Sequence, residues 1–83
     1  MNTIEHQKDL HCFVLAQDGY ECLLEYRLSG ADDRQSVDFT HTYVPFQLRG
    51  KKLAEQLVDA GLLWAKAQGY QIDASCSYVK KFL

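Results

Sequence analysis

From His11 to Leu28 the chain is a nearly unbroken β-prone run, rich in Phe, Val, Leu and Tyr and interrupted only at Asp18-Gly19. That dipeptide suits a two-residue hairpin turn, so His11 to Gln17 and Tyr20 to Leu28 read as two antiparallel strands. With Asp18 and Gly19 at the turn, Gln17 faces Tyr20, Leu15 faces Cys22, Phe13 faces Leu24 and His11 faces Tyr26 on an apolar side. The other side carries Glu21, Glu25 and Arg27 beside Cys12, Val14, Ala16 and Leu23, which puts Cys12 and Cys22 on opposite faces and out of reach of each other. Residues 1 to 10 are polar and read as a frayed lead-in, and Ser29 to Arg34 as a turn-rich connection. From Gln35 to Val44 the pattern alternates strictly, with Val37, Phe39, His41 and Tyr43 on one side and Ser36, Asp38, Thr40 and Thr42 on the other. This is the pattern of a half-buried antiparallel strand. Pro45 has no N–H to donate to a ladder, so the strand ends or splays there and leaves backbone groups open to an extended ligand.

Beyond Gly50 the apolar period lengthens to that of a helix, from about Lys51 to Gln68. Leu53, Ala54, Leu57, Ala60, Gly61, Trp64 and Ala65 form a stripe against the sheet, with Lys52, Glu55, Asp59 and Lys66 opposite. Leu62 and Leu63 fall at its edges or mark a contact surface. Gly69 suits a helix C-cap, and Tyr70 to Ser75 reads as a last short strand. Strand, long helix, strand implies a parallel crossover. Tyr78, Val79, Phe82 and Leu83 are spaced for a terminal helical turn. The expected fold class is α/β (α+β): three antiparallel strands, a long helix, a fourth strand parallel to the third and a short helical turn, all within one domain of residues 1–83.

Composition narrows the function. A chain of 83 residues has room for one core. A formal charge of −2, with the positive charge concentrated at Arg49–Lys52 and Lys80-Lys81, argues against general nucleic-acid binding. Met1 to His6 has no basic region leading into an apolar run, and no segment approaches bilayer length, so no membrane partner and a cytoplasmic location are expected. Cys12, Cys22 and Cys76 then read as reduced thiols. Their spacings to His6, His11 and His41 match no recognised ligand pair, so no metal site is expected.

Candidate chemistry concentrates between Thr42 and Leu53. A strand end is followed by Arg49, Gly50, Lys51 and Lys52 at the start of a helix, where unpaired N–H groups and the positive end of the helix dipole suit a phosphate. Three stretches, taken together, resemble the small single-domain branch of the GNAT N-acetyltransferase superfamily, the GCN-related acetyltransferase-like proteins. They are His41-Thr42-Tyr43-Val44-Pro45, similar to H-T-x-V-P; Leu48-Arg49-Gly50-Lys51-Lys52-Leu53-Ala54, similar to L-R-G-x-G-[IL]-[AG]; and Cys76-Ser77-Tyr78-Val79, similar to C-[PS]-[FY]-[VA].

The resemblance implies an acetyl-coenzyme A site where the third and fourth strands part. The pyrophosphate would rest on the loop of Gln47, Leu48, Arg49, Gly50, Lys51 and Lys52, and the pantetheine arm along Tyr43 and Val44. It also implies Cys76 beside the coenzyme sulfur, as an acyl-accepting nucleophile or proton donor. His41, on the strand face of Phe39, is the candidate general base, and Tyr78 a candidate proton donor to the thiolate. The acceptor would be a small amine or a protein lysine, and the chain a monomer or weak dimer. Lys52 stands where the family pattern has glycine. That substitution, and the few residues after the last motif, favour an alternative: a non-catalytic module of the same fold that binds acyl-coenzyme A or a protein.

Overall fold

Asp18 and Gly19 both take positive φ, 53° and 82°, as a two-residue hairpin turn requires. In the structure, a computed structural model that describes residues 3–31 and 34–83, this turn sets the register of the sheet. Five strands lie in the order of the sequence: β1 (Thr3–Gln7), β2 (Cys12–Gln17), β3 (Tyr20–Ala31), β4 (Arg34–Tyr43) and β5 (Gln71–Ala74). Helix α1 (Leu53–Gln68) crosses from β4 to β5, which are parallel, and α2 (Ser77–Lys80) follows. Gln17 pairs with Tyr20, Leu15 with Cys22 and Phe13 with Leu24, as the sequence predicts. His11 lies just outside β2, yet its carbonyl accepts the Tyr26 N–H at 3.0 Å and its ring stacks on Tyr26.

Three sequence expectations are corrected. The polar lead-in is a strand, because β1 pairs antiparallel with β2 through Ile4 opposite Leu15 and His6 opposite Phe13, and a 3-10 turn at Lys8–Leu10 joins the two. The supposed connection from Ser29 to Arg34 is largely ladder: Ser29 pairs with Ser36, and their hydroxyls meet at 3.0 Å. Residues 32 and 33 lie outside the described residues.

The third correction has chemical consequences. Between Tyr26–Phe39 and Glu25–His41 the β3–β4 register shifts, leaving Thr40 as the extra residue of a β-bulge. A bulge reverses which residues face the core. Val37 and Phe39 are fully buried, but His41 and Tyr43 now stand opposite Glu25 and Leu23 on the other face, exposed. His41 therefore does not share the face of Phe39. Thr42, opposite Leu24, takes the inward position.

One face of the sheet packs on both helices. Leu15, Cys22, Leu24, Val37 and Phe39 form a single buried cluster with Leu53, Leu57, Val58 and Ala65 of α1 and Val79 of α2. Val58 joins the expected stripe, Leu62 packs at its edge and Leu63 is exposed. Gly61 lets α1 sit close to the strands: a Cβ there would lie 2.9 Å from both Leu24 Cδ2 and Phe39 Cε1. Gly69 caps α1 in the left-handed conformation, its N–H shared between the Ala65 and Lys66 carbonyls.

Candidate functional site

The β4–β5 ladder ends at Phe39 opposite Ala74, with one further bond from the Cys76 N–H to the Phe39 carbonyl at 3.0 Å. From there the strands part. Cys76 occupies the N-cap position of α2, in the gap. Its Sγ lies 3.5 Å from the Thr42 hydroxyl, a contact that exists only because the bulge turns Thr42 inward. Burial alone would push the Cys76 thiol up. The Thr42 hydroxyl, the backbone N–H groups of Val79 and Tyr78, and the Thr42 backbone outweigh burial and hold the thiol below its ordinary value. Hydrogen bonds to sulfur favour its anion.

At the other end of the gap, Pro45 leads into a 3-10 turn, Phe46–Leu48. Leu48 is buried and pins the turn to the core. Arg49 Nε donates to the Val44 carbonyl at 3.2 Å, tying the loop back to the strand end. Gly50 and Lys52 both have positive φ, 83° and 62°. The position where the resemblance has glycine thus has a left-handed backbone in this chain although a lysine fills it. Lys52, at the N-cap, has no side-chain acceptor and caps none of the first N–H groups of α1.

Val44, Leu48, Arg49, Gly50, Lys52 and Tyr78 wall a cavity of about 300 Å3 together with the first turn of α1. Burial, followed by Glu55 and Asp59, pushes the Tyr78 hydroxyl up, so it stays protonated at neutral pH. The structure therefore gathers Val44, Leu48, Arg49, Gly50, Lys52 and Tyr78 into one wall, with Cys76 two residues from Tyr78. Tyr43, Gln47 and Lys51 lie outside that wall. Lys51 reaches instead to Asp18 of the hairpin turn, in an exposed pair at 3.4 Å worth about 1 kcal/mol at most. His41 lies across the sheet from this gap. Thr42 was missed as a site residue because strict alternation points it to solvent; its place inside the first quoted motif was the available signal.

A mixed sheet whose parallel strands part beside a basic turn opening a long helix has the layout of a GNAT-like α/β protein. A family model described as GCN5-related N-acetyl-transferase matches residues 12–83, and the chain belongs to that family. It is also similar to Protein NATD1 of Danio rerio, with 28% identity over 82 residues that cover 96% of this chain and 72% of that protein.

Proposed function

We propose that this chain is an acetyl-coenzyme A dependent N-acetyltransferase acting on an amine, with Cys76 as its acyl-accepting thiol. The observation that carries this reading is the Cys76 sulfur, set in the strand gap against Thr42 and two N–H groups of α2, two residues along the chain from Tyr78, which lines the cavity that Arg49 and Lys52 make basic.

The residues present suit such a cofactor. Arg49 and Lys52 bring positive charge to a helix start whose N-cap side chain takes none of its N–H groups, and the space around Gly50 is free, with nothing within 4 Å of where a Cβ would lie. Glu55 is the one acidic wall residue. Acetyl-coenzyme A, when bound, supplies an acyl group activated as a thioester. The Cys76 thiolate would attack the acyl carbon of the bound thioester, the new S–C bond forming as the old one breaks, with Tyr78 donating a hydrogen bond to the departing sulfur, which would take its proton from solvent. The amine then attacks the acyl-cysteine and loses a proton to solvent, and the electron pair of the broken bond returns to Cys76. Thr42 and the α2 N–H groups stabilise that returning charge. Tyr78, kept neutral, acts as hydrogen-bond donor and not as base. His41 is given no step, because the bulge turns it to the other face.

One observation favours a second reading, a non-catalytic module of the same fold: Lys52 brings a long side chain to the wall where glycine would leave the backbone bare. Calorimetric titration of the reduced protein with acetyl-coenzyme A and coenzyme A, repeated on Arg49→Ala and Lys52→Gly, separates the two. Micromolar binding that weakens in Arg49→Ala, with an acetyl adduct on Cys76 by mass spectrometry that Cys76→Ser abolishes, supports the transferase. Binding seen only in Lys52→Gly would give first place to the module, and no binding in any variant would remove the cofactor from both.

A further inference from the structure

The second face of the sheet has a pattern that acyl transfer does not use. The strand register sets Glu5, Val14, Leu23 and Tyr43 side by side across β1 to β4. The next row is Gln7, Cys12, Glu25 and His41, and on the other side Ala16 stands opposite Glu21. Neither helix packs here, since the buried apolar residues of both belong to the cluster on the opposite face. Tyr43 is 46% exposed, Ala16 is exposed and Leu23 half-buried, whereas Val14 and Cys12 between them are already buried by their neighbours. Around this apolar row Glu5, Glu21 and Glu25 are all exposed. They lie close enough to Cys12 that, after burial, their charges push its thiol up. Among the described residues none of the three takes part in an ion pair. Arg27 is the one basic side chain that the alternation of β3 adds to this face. The concentrated positive charge, Arg49–Lys52, sits on the loop before α1.

We propose that this open face docks a cationic, amphipathic polypeptide segment of a partner protein. Its apolar side chains would lie on Tyr43, Leu23 and Ala16, and its lysines or arginines against Glu5, Glu21 and Glu25. Charge selects the occupant. A second copy packed symmetrically on this face would bring the same three carboxylates together, and like charges oppose that contact. Nucleic acid and anionic lipid are repelled for the same reason. A basic segment neutralises the rim while covering the apolar row, which gives contact area and orientation together. This inference goes beyond the acyl-transfer reading and does not depend on it, since docking needs no coenzyme.

The test is fluorescence anisotropy of a labelled peptide of alternating Lys and Leu, titrated with the full chain without coenzyme, beside a Glu-Leu peptide of the same length. The Lys-Leu peptide is expected to bind and the Glu-Leu peptide not to, with affinity falling as salt rises. Reversing two rim charges, Glu21→Lys with Glu25→Lys, is expected to weaken binding by about tenfold or more. Reversing Glu55 and Asp59 on α1, the same change in net charge, should leave it intact. Glu25→Gln, milder for folding, should give a smaller loss in the same direction. Equal loss from the α1 reversal, equal binding of both peptides, or no binding would overturn the proposal. So would a dimer in sedimentation that the rim reversal abolishes, because the face would then belong to a second copy.

Discussion

At Cys76 two opposing effects meet on one sulfur. Burial disfavours the thiolate, and hydrogen bonds from Thr42 and the α2 backbone favour it, with the second prevailing. Cys12 and Cys22 have burial without such donors, and both thiols are pushed up. The three cysteines are free, so one alkylating reagent can read them all. Iodoacetamide labelling followed by mass spectrometry against pH is expected to modify Cys76 first, with its half-maximal rate below the ordinary thiol value of 9.0. Thr42→Val should move that profile upward without changing the order of reaction. If Cys76 titrated as it does in the urea-unfolded chain, the stabilised thiolate would be refuted, and with it the nucleophile assigned above. Lys52 shows a different economy at the scale of one residue. A left-handed lysine costs about 1 kcal/mol, and the anchoring of Leu48 and the Arg49 bond to Val44 hold it in place.

At the scale of elements, the contact between α1 and the sheet depends on the missing side chain of Gly61. Gly61→Ala would push a methyl group to 2.9 Å from Leu24 and Phe39, both fully buried, and two buried side chains cannot yield at once in a packed core. The expected loss is about 1–3 kcal/mol, read as a fall in urea midpoint at unchanged slope. An unchanged midpoint would mean that the helix is free to shift outward. Gly61 stood in the apolar stripe of the sequence because the period of a helix is robust over sixteen residues, and the hairpin was legible because Asp18-Gly19 admits few other turns. What the sequence hid was the extra residue at Thr40. Alternation in β4 is perfect on either side of it, and only the pairing with β3 shows that the two halves face opposite ways. One inserted residue thus moved His41 out of the candidate site and Thr42 into it. β1 was hidden for a related reason: five residues with polar ends carry too little period to announce a strand, and its identity comes from an edge that β2 offers.

Over the whole molecule, β1 is held to the rest by a side chain the sequence left unassigned. His6 stacks on Phe13 at 4.1 Å between ring centres, meets the edge of Trp64 at 4.7 Å, and shares a 2.6 Å hydrogen bond with the Tyr26 hydroxyl. Three elements, β1, the β2–β3 hairpin and α1, therefore meet at one imidazole. Burial, then the charges of Lys8 and His11, hold its pKa below the ordinary value of 6.5. A neutral ring can accept from Tyr26 or donate to it, whereas the cation can only donate and faces Lys8 and His11 as like charges. Because the folded state binds the proton less readily than the unfolded one, the His6 contribution to stability is fully present above about pH 6.5. It declines as pH falls below that value and levels off only when the folded ring is itself protonated. Urea unfolding followed by Trp64 fluorescence should show a lower midpoint at about pH 5.5 than at about pH 7.5. His6→Gln should be less stable at both values but with a much smaller difference between them. An equal difference in the variant would refute the assignment of the pH dependence to His6, and β1 would then be an edge strand fixed by its ladder alone.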